Sequence, residues 1–150
     1  MITGLTHLHS SFRYLVLLFI ILSIVDAISG MSSGKAYKKS SRIFALLGLI
    51  FTHIQLLVGL LLYFLGAKGF NALMNAEGVM KDAALRFYAL EHITLMIVAV
   101  VLITMGYSKA KKLEDAKRKF KTIAIFYGIA LLIIFVMIPW PFLKEFGSWI

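Results

Sequence analysis

The chain has 150 residues, of which 61% are hydrophobic and 15% charged, and its formal net charge at pH 7 is +9. Soluble domains are about half apolar and about a quarter charged, so this composition is typical of an integral membrane protein. The absence of cysteine excludes disulfides, iron–sulfur clusters, thiolate haem ligation and thiol catalysis. The basic residues cluster in two short loops between apolar segments, where they orient a membrane protein. We therefore predict no nucleic-acid partner.

Four apolar segments follow one another along the chain, at about 9–29, 43–65, 84–107 and 120–138. Each is long enough to cross a bilayer, which takes about 20 residues of helix. We interpret the first as a retained helix and not a signal peptide, because its apolar stretch is long and no small-residue cleavage site follows. Short connections favour an all-α fold, an integral membrane up-down four-helix bundle that forms one domain over 1–150.

The distribution of charge predicts how this bundle is oriented. One basic loop, 30–41, carries Lys35, Lys38 and Lys39, and the other covers 109–121. The positive-inside rule places both loops in the cytoplasm, so we expect both termini and the middle loop to lie outside. The predicted location is the inner (cytoplasmic) membrane of a bacterium, as a multi-pass protein surrounded by the lipid bilayer.

Small and polar residues mark the helix faces that are predicted to pack inward. These faces comprise His9, Arg13, Val16, Ser23 and Ala27 on the first segment, Gly48, Thr52, Gln55, Gly59 and Gly66 on the second, and Tyr88, Ala89, His92, Ala99 and Gly106 on the third. His53 lies roughly 120–140° around its helix from the inward face. We expect it to face a second neighbouring helix, lipid or a partner subunit.

Three histidines carry the functional hypothesis: His53 and His92 within apolar segments, and His9 at the start of the first. Histidine is costly in hydrocarbon and is usually functional there. Counting helical rise places His53 and His92 within about 6 Å of each other in depth. Such a pair is compatible with two imidazoles on opposite faces of one haem b. We predict them as iron ligands, with His9 as the substitute for His53.

Charged residues near the outer helix ends complete the predicted site. Arg13 and Arg86 are expected to pair with haem propionates. Glu91, next to His92, is expected to assist protonation or orientation, or to pair with Arg13 or a loop lysine. Other roles stay open for the histidines: a hydrogen bond to a neighbouring helix, contact with a quinone, or another metal. No residue is assigned a catalytic role.

Several segments together resemble a family of small bacterial four-helix membrane proteins labelled cytochrome b-like. The matching segments are 4–10 with Arg13-Tyr14, 51–59, 86–92 and 138–142, and they cover nearly the whole chain. The resemblance implies a haem held between transmembrane helices and electron transfer with quinone or a respiratory partner. The second segment is also faintly similar to half of a haem A synthase, whose other half this chain lacks.

Another class of function is compatible with the same composition. A membrane subunit or assembly factor without a cofactor would pack against a larger membrane complex, and the unusual face of His53 favours this alternative. A small transporter or channel is less favoured, because the sequence contains no pair of broken helices and no internal repeat.

Overall fold

The computed structural model describes residues 1–75 and 77–149, and within them every regular element is helical. The elements are α1 (Ile2–Ser33), α2 (Lys39–Leu65), α3 (Phe70–Asn75), α4 (Ala83–Arg86), a π-helical turn (Phe87–Glu91), α5 (His92–Lys112) and α6 (Ala116–Met137). The last of the three loops between long helices is the shortest, and Asp115 caps the N-terminus of α6 by accepting a hydrogen bond from the Arg118 N–H.

Four helices are long and apolar enough to cross a membrane, which confirms that part of the predicted fold: Ile2–Ser33, Lys39–Asn75, Ala83–Lys112 and Ala116–Met137. They extend beyond the predicted apolar segments because helical hydrogen bonding continues into polar ends that hydropathy does not detect. The short helix α3 lies within the predicted middle loop. Gly34 ends α1 with φ of 66°, a left-handed conformation that glycine adopts without steric cost.

The long helices close into a ring. Helix α1 packs against α2 and α6, and α5 packs against the same two neighbours. Consecutive long helices run antiparallel: Gln55, near the end of α2, donates a hydrogen bond to the His9 carbonyl near the start of α1. Helices α1 and α5 therefore lie diagonally opposite each other, with their facing side chains in the centre of the bundle.

The two ends of the bundle differ in chemistry. The start of α1, the end of α2, the π-helical turn and the C-terminal segment 139–149 meet at one end, which we call the histidine end. The loops rich in lysine meet at the other, the basic end, where Lys119 lies over the Tyr37 ring at 5.3 Å. The start of α1 and the C-terminal segment 139–149 are thus both at the histidine end.

The core confirms the predicted inward faces. Val16, Ile20, Ser23 and Ala27 of α1 are each at most 2% exposed, and their spacing of three and four residues follows one side of a helix. The largest fully buried side chain is Tyr127 of α6. Its hydroxyl donates a hydrogen bond to the Ala45 carbonyl at 2.6 Å, which ties α6 to α2 across the bundle.

Candidate functional site

The structure brings two of the three candidate histidines together at the histidine end. The rings of His9 in α1 and His92 in α5 meet edge to face, with centroids 6.3 Å apart and planes inclined at 71°. Because α1 and α5 are diagonal partners, this pair lies across the centre of the bundle. Two imidazole nitrogens that each bind one metal ion at about 2.0–2.1 Å would place their ring centroids roughly 6.4 Å apart. The observed centroid separation is therefore compatible with two imidazoles that share one metal ion.

A local irregularity of the helix positions His92. The preceding turn, Phe87–Glu91, is π-helical, and the His92 N–H bonds to the Phe87 carbonyl five residues earlier. Such turns add one residue to a helix and are frequent at functional sites. The Ala89 carbonyl, within this turn, accepts a hydrogen bond from the Tyr63 hydroxyl of α2 at 3.1 Å. The irregular turn is thus held in place by α2.

The tautomer of His92 is set by the end of α6. Its Nδ1 lies 2.8 Å from the Met137 carbonyl, and since a carbonyl oxygen only accepts, Nδ1 carries the proton. The residue four positions after Met137 is Pro141, which has no N–H to occupy that carbonyl. Nε2 therefore keeps its lone pair, the arrangement that metal-binding histidines commonly show.

His9 is positioned by α2. The Gln55 side-chain amide donates to the His9 carbonyl at 2.8 Å. A β-carbon built on Gly59 would lie only 3.0 Å from His9 Cε1. The absence of a side chain at Gly59 is therefore what allows the imidazole to lie against α2.

Unpartnered polar atoms cluster around this pair. Among residues 1–75 and 77–149, three buried side-chain atoms have no hydrogen-bond partner: His9 Nδ1, Arg13 Nε and Gln55 Oε1. Arg13 is one helical turn from His9, and Gln55 contacts the His9 backbone. Burying such atoms unpaired costs about 1–3 kcal/mol each. The concentration of these three unpartnered atoms beside His9 fits a site arranged to hold a bound group.

Aromatic side chains surround His92. The ring of Phe87 lies 5.5 Å and that of Tyr88 6.5 Å from the His92 ring, centroid to centroid. Phe146, from the C-terminal segment, contacts both of these rings at 5.4 and 5.8 Å. The Lys144 ammonium lies 4.4 Å from the Phe87 centroid. The C-terminal segment therefore covers the histidine end with aromatic side chains, beside which the Lys144 ammonium lies.

Arg13, a predicted propionate partner, is buried under the same segment. Its guanidinium donates to the carbonyls of Ser148, at 3.1 Å, and Trp149, and it lies over the Trp140 ring at 5.2 Å. Trp140 is fixed in turn, because its indole N–H donates to the Phe135 carbonyl at 3.0 Å. Arg13 thus fastens the C-terminal segment to α1 one turn from His9, and its Nε remains available.

Arg86 and Glu91, the other two predicted charged residues, pair with each other. Arg86 Nε lies 2.7 Å from Glu91 Oε1, and both side chains are about 40% exposed. Arg86 also donates to the Met80 carbonyl at 3.0 Å. Glu91 was expected to pair with Arg13 or a loop lysine, and the difference arises because the π-helical turn brings position 91 next to position 86. The pair lies on the rim of the site.

His53 lies elsewhere in the bundle. Its Nδ1 is 2.8 Å from the Leu49 carbonyl and its Nε2 is 3.4 Å from the Thr104 hydroxyl, so it faces α5. Thr104 is twelve residues from His92 along α5, about 18 Å of helical rise. The predicted depth match between His53 and His92 is therefore not found. Of the three surroundings left open for His53, a neighbouring helix, lipid or a partner subunit, the structure has the neighbouring helix α5.

Sequence reasoning missed three features of the site: the π-helical turn, the Met137 carbonyl and the C-terminal cover. The free Met137 carbonyl had a detectable signal, since Pro141 lies four residues after Met137 and has no N–H to bond to it. The π-helical turn and the C-terminal cover depend on contacts between segments that are distant in the chain. No local pattern reports them.

The donor set limits what the site can hold. Within the described parts of the chain, no three His, Asp or Glu side chains come together as a metal site. Two imidazoles do match the number of axial positions on a haem iron. The chain matches no known family model, no curated protein and no solved structure, so the site has to be interpreted from its own chemistry.

Proposed function

We propose that this protein is a multi-pass membrane protein that binds one haem b between His9 and His92 and transfers electrons between quinone and a respiratory partner. The observation that carries the proposal is the centroid separation of 6.3 Å between two imidazoles from diagonal helices. The unpartnered buried atoms near His9 and the glycine at position 59 support it. A haem held by these two residues would supply one-electron transfer.

Each residue of the site has a role in this proposal. His9 and His92 would hold the haem iron, and the Met137 carbonyl holds His92 in the tautomer that leaves Nε2 unprotonated. Arg13, with a free buried Nε, is the cation closest along the chain to His9 and the proposed partner of a propionate. The Arg86–Glu91 pair joins the two ends of the π-helical turn.

The same proposal assigns an orientation in the membrane. The lysine-rich loops lie at one end of the bundle and the histidine pair at the other. By the positive-inside rule the basic end is cytoplasmic. The haem would then lie towards the outer surface, accessible to a partner on that side and to quinone from the bilayer.

The test is a visible spectrum of the detergent-purified protein, oxidised and then reduced with dithionite, with a pyridine haemochromogen assay of haem per chain. We expect a sharp reduced α-band and about one haem per protein. His9→Ala and His92→Ala should each lose the haem. His53→Ala is the matched control and should keep it, since His53 contacts Thr104 and not the pair.

Two results would contradict the proposal. Haem loss in His53→Ala with retention in His9→Ala would move the ligand site to α2. A colourless, folded protein from cells supplied with haem would remove the electron-transfer function. A stoichiometric co-purifying membrane protein would then favour the subunit or assembly-factor alternative.

A further inference from the structure

The basic end of the bundle contains a groove of about 300 Å³ between the ends of three long helices. Its lining comes from the loop before α2, the start of α2, the end of α5 and the start of α6. The lining residues are Tyr37, Lys38, Lys39, Arg42, Tyr107, Lys111 and Lys119. Five of these seven side chains are cationic, although they come from segments far apart in the sequence.

None of the residues that line the groove is acidic. Two carboxylates near these segments have other partners: Asp26 pairs with Lys35 at 2.8 Å, and Asp115 caps α6. Glu114, three residues after Lys111, is exposed and does not line the groove. Of the five cationic residues, Lys119 is half-buried and the others are exposed, and their positive charges add to one local potential. The groove is therefore complementary to an anion.

Two tyrosines, Tyr37 and Tyr107, line the groove among the cations. The Tyr37 ring packs on Phe120 with centroids 4.9 Å apart, and the Lys119 ammonium lies 5.3 Å from the Tyr37 centroid. Burial, assisted by the neighbouring Tyr107 and Asp26, raises the pKa of Tyr37 to about 12 against the opposing effect of Arg42. The Tyr37 hydroxyl is thus protonated at neutral pH and able to donate a hydrogen bond.

We propose that this groove binds the phosphate group of an anionic phospholipid. The groove lies where the apolar helices end, which is the depth of lipid headgroups, and basic pockets between transmembrane helices on the cytoplasmic side bind such headgroups. One turn into α2 from Lys39, Ile43 is 41% exposed and offers an apolar surface to an acyl chain. The proposal concerns the end opposite the histidine pair and does not depend on haem binding.

The experiment is a titration of the detergent-solubilised full-length protein with dioleoyl-phosphatidylglycerol, followed by native mass spectrometry. Dioleoyl-phosphatidylcholine is the zwitterionic comparison, and inorganic phosphate is the soluble competitor. We expect one phosphatidylglycerol to be retained in preference to phosphatidylcholine. The triple variant Arg42→Gln/Lys111→Gln/Lys119→Gln should weaken that binding about tenfold or more.

The chain offers a control with the same loss of charge. Lys109, Lys112 and Lys121 line a separate, more open hollow at the same end, and Lys109→Gln/Lys112→Gln/Lys121→Gln should change phosphatidylglycerol binding by no more than about twofold. A charge-preserving variant, Arg42→Lys/Lys111→Arg/Lys119→Arg, should retain the lipid. This third variant changes the same three positions but keeps their charge. Lipid binding by it would therefore show that the glutamine variant fails because charge is lost and not because these positions tolerate no substitution.

Three outcomes would overturn the proposal. Equal losses in the two glutamine variants would show general attraction to a positive surface. Equal retention of the two lipids would show that charge is not recognised. Displacement of phosphatidylglycerol by millimolar inorganic phosphate would assign the groove to a soluble phosphate compound and not to lipid.

Discussion

His9 and His92 meet across the diagonal of the bundle, with ring centroids 6.3 Å apart, although 82 residues separate them in the sequence. The contacts that position the two rings come from the other two long helices, α2 and α6. Gly59 of α2 makes room for His9, and Met137 at the end of α6 holds His92. All four long helices therefore contribute to one pair of side chains, and a shift of any helix changes the distance between the rings.

The first prediction concerns the space beside His9. Gly59→Val should displace the imidazole, because even a β-carbon at this position would lie 3.0 Å from His9 Cε1. Displacing a ligand through its surroundings should weaken haem retention by roughly tenfold, measured as haem per protein after gel filtration. Gly128→Val is the control, since a β-carbon there meets nothing within 4 Å. An equal haem content in the two variants would contradict the role of Gly59.

The second prediction concerns the C-terminal cover. Arg13→Gln should release segment 139–149, because Arg13 donates to the carbonyls of Ser148 and Trp149. Hydrogen bonds to a charged group contribute about 1.5–3 kcal/mol, so amide exchange in this segment should accelerate at least about tenfold. Hydrogen–deuterium exchange with mass spectrometry measures the change. Arg42→Gln, an exposed arginine at the basic end, should leave the segment protected, and unchanged protection in Arg13→Gln would disprove the fastening role.

The third prediction concerns contact between α5 and α6. Gly106→Ala should destabilise the bundle, because its β-carbon would lie 2.5 Å from the Phe126 β-carbon, which cannot move without its backbone. Overpacking of this kind costs about 1–3 kcal/mol, seen as a lower Tm in detergent. Gly128→Ala, in open space on α6, should leave Tm unchanged or slightly higher. Equal Tm values for the two variants would show that α5 and α6 are not closely packed at Gly106.

Several elements of the fold could be predicted because their signals are local. A run of about 20 apolar residues indicates a long helix wherever it occurs, and the four runs correspond to the four long helices. The inward face of α1 could be recognised from the spacing of Val16, Ser23 and Ala27, since helical periodicity acts over one or two turns. The π-helical turn gives no such signal, because its stability comes from contacts with Tyr63 and the C-terminal segment.

The sequence by itself determined four long apolar helices, their inward faces and the placement of both lysine-rich loops at one end, because each depends on neighbouring residues. Only the tertiary structure decided which histidines meet. The depth estimate for His53 and His92 assumed helices that start level, whereas His53 lies beside Thr104, about 18 Å along α5 from His92. Relative sliding of helices is set by packing between distant segments, such as Gly30 against Phe120. For that reason the pair formed by His9 and His92 emerges only when all four helices are assembled.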